Sequence, residues 1–225
     1  MALLAQGITP IAALTAFRNH PRTFLEHNLV MVGDFLGAAS GVVNNVYFQS
    51  SGYETAQRHG SIMGGRNLHS TQDFKFSPAL DMGKPNVQID VQFVQMYPFA
   101  SIGTIQWHPL TGHGTPDIVI TTKLTGCSFL VRQVGGNLEC AHIQPNGIGN
   151  PPQSGQALRE LLSGQHAGNY TSLYGRGRVG PKGYDHNEGS TVIGLRGGNN
   201  AWRIYAQRQV AGQATFKDVE RIYPR

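Results

Sequence analysis

Ser128-Phe129-Leu130-Val131-Arg132-Gln133-Val134, then Gly135-Gly136, then Asn137-Leu138-Glu139-Cys140-Ala141-His142-Ile143 reads as a β-hairpin closed by a two-residue glycine turn. A turn of that length sets Val134 opposite Asn137, and the pairing follows from there. His142 falls opposite Phe129, and Cys127 opposite Gln144. Side chains alternate faces along each strand, so Cys127 and His142 project from one face as diagonal neighbours, roughly 7 Å apart at Cα. A three-residue turn would shift the parity and send them to opposite faces.

Outward from the hairpin, Asp117-Ile118-Val119-Ile120-Thr121-Thr122 is a β-branched run bounded by Pro116 and the Leu124-Thr125-Gly126 turn, which predicts a strand. Val87 to Phe93 alternates apolar and polar residues with period two, the pattern of a half-buried strand. Further strands are expected over Val42 to Phe48, Gly103 to Trp107, Ser190 to Leu195 and Ala201 to Gln209, the last two joined across Gly197-Gly198-Asn199-Asn200. Thr9-Pro10 followed by Ile11, Leu14 and Phe17 predicts a capped helix ending at Pro21. A second helix is expected from Thr23 to about Phe35, with Phe24, Leu25, Leu29 and Val32 facing the core. A third covers Ala157 to Leu162 with Ser154 as its cap. The stretches 145–155 and 175–189 read as loops.

These elements predict an α+β fold: a single domain over 1–225 with a central, mostly antiparallel β-sandwich and flanking helices. Residues 1–85 form its helical and loop part, and 86–225 its sheet core. The composition agrees, with 40% hydrophobic and 14% charged residues, 29 glycines and 12 prolines. No apolar run of about 18 residues exists, so no membrane association is expected. Net charge is +5, but the basic residues are scattered and no dense basic block with interleaved aromatics stands out. Direct nucleic-acid binding is therefore not expected. The N-terminus carries no basic residue before Arg18 and makes a poor secretory signal.

A thiol is a nucleophile as its thiolate, and a neighbouring imidazole can take its proton. Cys127 and His142 fit such a dyad. Gly126 would let the chain turn sharply before the sulfur, and backbone N–H groups over Gly126 to Ser128 would hold an oxyanion. His142 would need an acceptor to orient its second ring nitrogen. Against this stands the plain reading of a strand cysteine as a small buried hydrophobe. Cys140 shares the face of His142 and is read as structural. Cys127, Cys140 and His142 lack a fourth ligand at a usual spacing, so no metal is expected, and the register sets the two cysteines too far apart for a disulfide.

Leu124-Thr125-Gly126-Cys127, followed fifteen residues later by His142, resembles the Leu-Ser-Gly-Cys…His signature of the cytotoxic necrotizing factor and Burkholderia lethal factor toxins, with Thr125 in place of the serine. Leu173-Tyr174-Gly175-Arg176, the Ser190 to Gly194 strand and the Trp202 to Gln207 strand are similar in order to the lethal factor's C-terminal half. The resemblance implies a bacterial toxin or effector that converts a target-protein glutamine to glutamate, with Cys127 as nucleophile, His142 as base and Thr121, six positions before the cysteine, orienting the histidine. It further implies a monomer acting on a protein substrate without a cofactor, made in the bacterial cytoplasm and exported to work in a host or target-cell cytosol. Other readings stay open: another cysteine acyl-transfer enzyme, such as a transglutaminase or protease, or a sandwich that only binds.

Two further groups have plain and functional readings. Arg176, Arg178 and Lys182 among glycines are a solvated loop or, alternatively, a docking loop for an acidic patch on the target. His108 and His113, near Trp107, read as turn-exposed histidines.

Overall fold

Gly135 and Gly136 both sit at positive φ, 54° and 85°. A two-residue turn with both central residues left-handed is type I′, whose twist matches that of the strands it joins. The pairing it sets is the one the sequence predicts: Val134 opposes Asn137, Phe129 opposes His142 and Ser128 opposes Ile143.

The computed structural model describes residues 7–52, 72–110, 112, 114–146, 151–177, 183–210 and 216–224. Its helices are α1 (Pro10–Asn19), α2 (Pro21–His27) and α3 (Gly155–Gln165). The first seven strands are β1 (Asn28–Val32), β2 (Gly41–Gly52), β3 (Gln72–Ser77), β4 (Asn86–Val94), β5 (Met96–Pro98), β6 (His108–Leu110) and β7 (Ile118–Thr121). The hairpin supplies β8 (Ser128–Val134) and β9 (Asn137–Gln144). The chain closes with β10 (Ser172–Gly175), β11 (Glu188–Arg196), β12 (Trp202–Val210) and β13 (Phe216–Tyr223). Arg178, Lys182 and His113 lie outside the described residues.

Two sheets stack. The larger has the order β1-β3-β2-β4-β7-β11-β12-β13, and the smaller runs β10-β8-β9-β5 with β6 also on β9. Pairing is antiparallel except at β1/β3, β4/β7 and β5/β9. Three apolar clusters define the layers. Phe17 and Phe24 of the N-terminal helices pack on Phe48, Phe74, Phe76 and Phe93 of the large sheet. Val119, Val192 and Ile204 meet Phe129, Val131 and Cys140 between the sheets. Leu158 and Leu162 of α3 cover Leu130, Ala141 and Ile143 on the far side of the small sheet. The result is an α+β sandwich with helices on both outer faces, each buried phenylalanine contributing roughly 2–3 kcal/mol of burial.

Local chemistry sets the helix boundaries. Thr9 Oγ1 accepts from the Ala12 N–H at 3.3 Å with proline at the first helical position of α1, and Ser154 Oγ accepts from the Ala157 N–H at 3.2 Å at the start of α3. The second helix is shorter than expected. It stops at His27, Asn28 turns its amide back to the Phe24 carbonyl at 2.9 Å, and Leu29 to Val32 continue as β1. Gln207 holds this switch in place, donating to the Leu25 and Asn28 carbonyls and accepting from the Val30 N–H. Nor is Gly103 to Trp107 a strand. Ser101 and Thr104 close a reciprocal capping box around a 3₁₀ turn, and the strand begins at His108. His108 is consequently a strand residue opposite Cys140, half-buried, rather than a turn-exposed histidine.

Candidate active site

β7 alternates its side chains between layers. Ile118 and Ile120 enter the helix-covered cluster, while Val119 enters the inter-sheet one. Thr121, two positions beyond Val119, therefore points between the sheets. On β9 the same rule sends His142 inward with Leu138 and Cys140, so the strand parity brings a threonine of one sheet to a histidine of the other. Thr121 Oγ1 lies 2.6 Å from His142 Nδ1 and also 2.6 Å from the Val94 carbonyl.

Those two contacts fix the imidazole tautomer. A carbonyl can only accept, so the single hydroxyl proton of Thr121 goes to Val94. The oxygen is then left to accept from His142, which must carry its proton on Nδ1. Nε2 thus bears the free lone pair, and it is buried without a hydrogen-bond partner. Leaving such an acceptor unpaired costs about 1–3 kcal/mol. Burial pushes the His142 pKa down to about 3, so the ring is neutral at rest.

Cys127 immediately precedes β8, on the face shared by Phe129 and His142. It is 6% exposed. Tyr184 donates its hydroxyl proton to the Cys127 carbonyl at 2.7 Å, tying down the backbone behind the thiol. Burial pushes the thiol up to about 11, against the opposing pull of the backbone N–H groups of Thr125 and Gly126. At rest the pair is accordingly a neutral thiol and a neutral imidazole. No hydrogen bond joins them: Cys127 Sγ instead donates to Met96 Sδ at 3.3 Å. Met96 stands directly opposite His142 in the parallel β5/β9 pair, on the same face.

The remaining predicted residues divide. Gly126 is not left-handed, and a Cβ added there would meet nothing nearer than Arg176 Nη1 at 3.9 Å. The chain bends at Thr125 and Gly126 as expected, but nothing there requires a glycine. The glycine that this turn requires is Gly155, at the start of α3, where a Cβ would fall within 2.8 Å of the Gly126 carbonyl carbon and nearer still to its oxygen. Ser128, expected to contribute its backbone N–H, begins β8. Its side chain points to the opposite face from the thiol, where Gly175 leaves room for it. Arg176 is half-buried, donates to the His186 carbonyl at 3.4 Å, and lines a cleft of about 320 Å³ with Gln156, Arg159, Glu160, Asp185 and His186. Cys140 is a fully buried free thiol between Val131 and His108, consistent with a packing role.

Gly155→Ala is expected to destabilise the fold by about 1–3 kcal/mol and to displace the Cys127 turn, because backbone must yield to the new methyl. Urea unfolding and the rate of Cys127 alkylation would register the two effects separately.

Met96 and Tyr184 are absent from the sequence-based site. Neither carries a motif, and both reach Cys127 only through pairings between distant segments. Among the described residues no helix is long and apolar enough to cross a membrane.

No family model matches the chain. No curated protein matches it in sequence, so the motif resemblance to the lethal factor has no support from overall sequence. Among solved structures, the C-terminal domain of CNFy from Yersinia pseudotuberculosis is similar over 94% of this chain and 97% of that chain, with 11% identity and a TM-score of 0.43.

Proposed function

We propose that the chain is a protein-glutamine deamidase of the toxin or effector kind, with Cys127 as nucleophile, His142 as general base and acid, and Thr121 as the residue that orients it. One observation carries this reading. The Thr121 clamp holds the His142 proton on Nδ1 and leaves an unpaired Nε2 on the strand face that also presents Cys127. What separates His142 from His108, whose Nε2 is also buried and unpaired, is the Thr121 clamp on its other ring nitrogen and the strand face it shares with Cys127.

In the proposed reaction His142 Nε2 removes the thiol proton and the sulfur attacks the carboxamide carbon of a target glutamine. The tetrahedral oxyanion is held by backbone N–H groups of the Thr125-Gly126-Cys127 turn. The carbon–nitrogen bond breaks as His142 returns the proton to the departing ammonia. Water, deprotonated by His142, then cleaves the thioester, leaving glutamate and the thiol. The chemistry needs neither metal nor organic cofactor. Arg176, beside the Gly126 turn, would with Arg178 dock an acidic patch on the protein substrate. The enzyme would be a monomer made in a bacterium and exported to a host or target-cell cytosol.

The test is a survey of new glutamine-to-glutamate conversions in a cell lysate incubated with the wild type or with Cys127→Ala. Conversions present only with the wild type support deamidation. Amine incorporation would replace the reading by transglutamination, backbone cleavage by proteolysis, and an unchanged lysate by a binding role.

A further inference from the structure

Among the residues that meet at the site, Cys127, His142 and Thr121 are buried, whereas Met96 is only partly so. Met96 is therefore the member of this group that reaches the surface. The position of its sulfur is informative. A carbonyl carbon poised for attack sits about 3–3.5 Å from its nucleophile, and Met96 Sδ lies 3.3 Å from Cys127 Sγ. Methionine sulfur and the glutamine carboxamide carbon are both the δ atom of an unbranched side chain. The two differ in what they offer the histidine: a thioether has no proton to donate, whereas a carboxamide carries two N–H donors. The unpaired His142 Nε2 is what a methionine in a glutamine's place would leave behind.

We propose that Met96 occupies the seat of the substrate glutamine, as a displaceable resident side chain that closes the catalytic slot. The inference rests on the deamidase reading and deepens it. Methionine suits the task because three rotatable bonds let it leave without backbone movement, and its apolar end keeps water from the dyad while no substrate is bound. Displacement by a carboxamide brings a donor to Nε2 and an electrophile to the sulfur together.

The arrangement supplies a test that needs no knowledge of the target. In Met96→Gln the introduced carboxamide lies at the nucleophile. The sulfur–carbon bond forms, ammonia departs with the proton relayed from the thiol, and water hydrolyses the thioester, so position 96 gains the mass shift of an amide-to-acid conversion. Intact-mass and peptide spectra should show that conversion on incubation, and it should be missing when Cys127→Ala or His142→Ala is added. Met96→Asn, one methylene shorter, should stay an amide. In parallel, Met96→Ala should raise the rate at which iodoacetamide labels Cys127 roughly tenfold or more, as removal of a gate that is open about a tenth of the time or less requires. Met96→Leu should keep the slow rate, and Cys140 should remain unlabelled in both.

If Met96→Gln stays an amide while the wild type still converts a lysate glutamine through Cys127, the seat is elsewhere and the deamidase reading survives. Equal Cys127 labelling in wild type and Met96→Ala would overturn the gate. Failure of both the internal and the lysate conversions would remove the reading itself.

Discussion

His142→Ala is expected to slow glutamine conversion by about four orders of magnitude or more, because it removes the group that both takes the thiol proton and returns it to ammonia. With the thiol held up at about 11 by burial, little thiolate exists at neutral pH without a base. Thr121 gives a graded version of the same experiment. Thr121→Val keeps the shape but removes the acceptor for Nδ1–H and the donor to the Val94 carbonyl, both made at 2.6 Å. The ring is then free to carry its proton on Nε2, where it cannot act as a base. A loss of roughly a hundredfold or more in turnover is expected with KM little changed, since the threonine touches no substrate; a misfixed tautomer in a triad costs up to about 10⁴. Thr121→Ser retains the hydroxyl and should restore the rate to within a few-fold. A lower KM-independent rate in the valine variant, rescued by serine, marks a positioning residue, whereas equal losses in both would assign Thr121 to packing. The internal conversion of the Met96→Gln chain provides a reporter for all three.

Why the sequence foretold this much and no more follows from how far apart the partners lie. The hairpin register was legible because Gly135-Gly136 fixes a local pairing, and a local pairing decides the face of every residue on both strands. The shared face of Cys127 and His142 came with it. Thr121 entered through a motif resemblance, since nothing in Ile118 to Thr121 by itself distinguishes it from an ordinary strand residue. β1, β3, β5, β6, β10 and β13 have no local signature that marks them as strands. Gln72 to Ser77 is short and mixed, and becomes a strand because it lies between β1 and β2. Met96 is placed by a parallel pairing with a strand some forty-six positions later, an interaction with no local signature. The overlong second helix shows the converse error. Phe24, Leu25, Leu29 and Val32 have helical spacing, but Asn28 caps the helix between them and the large sheet's edge claims the rest. Gly126 and Ser128 were assigned from adjacency to the cysteine, while the steric need fell on Gly155, remote in sequence and packed against the same turn.

Acid is expected to unfold the protein through His142. The ring's pKa in the fold is depressed from 6.5 to about 3, with burial as the cause, so the native state excludes a proton that the unfolded chain binds readily. The sign follows: the contribution is present above pH 6.5 and is lost progressively as pH falls toward 3. At full extent it is on the order of 5 kcal/mol, comparable with the whole stability of many domains. Cys127 acts in the other direction. Its raised pKa makes a contribution that is complete below pH 9.0 and is lost as pH rises through about 11. Urea midpoints should therefore decline as pH drops below about 6.5 and as it rises above about 9. The acid limb should be shallower in His142→Gln, where half-buried His108 still contributes. The alkaline limb should be shallower in Cys127→Ala, where Cys140, Tyr174 and Tyr184, all raised by burial, still contribute. Parallel acid limbs in wild type and His142→Gln would mean that the ring accepts a proton in the folded state, and with it would go the neutral imidazole whose lone pair faces the catalytic slot. The coupling is physical: the burial that leaves this imidazole neutral at rest also makes a resting imidazolium costly to the fold.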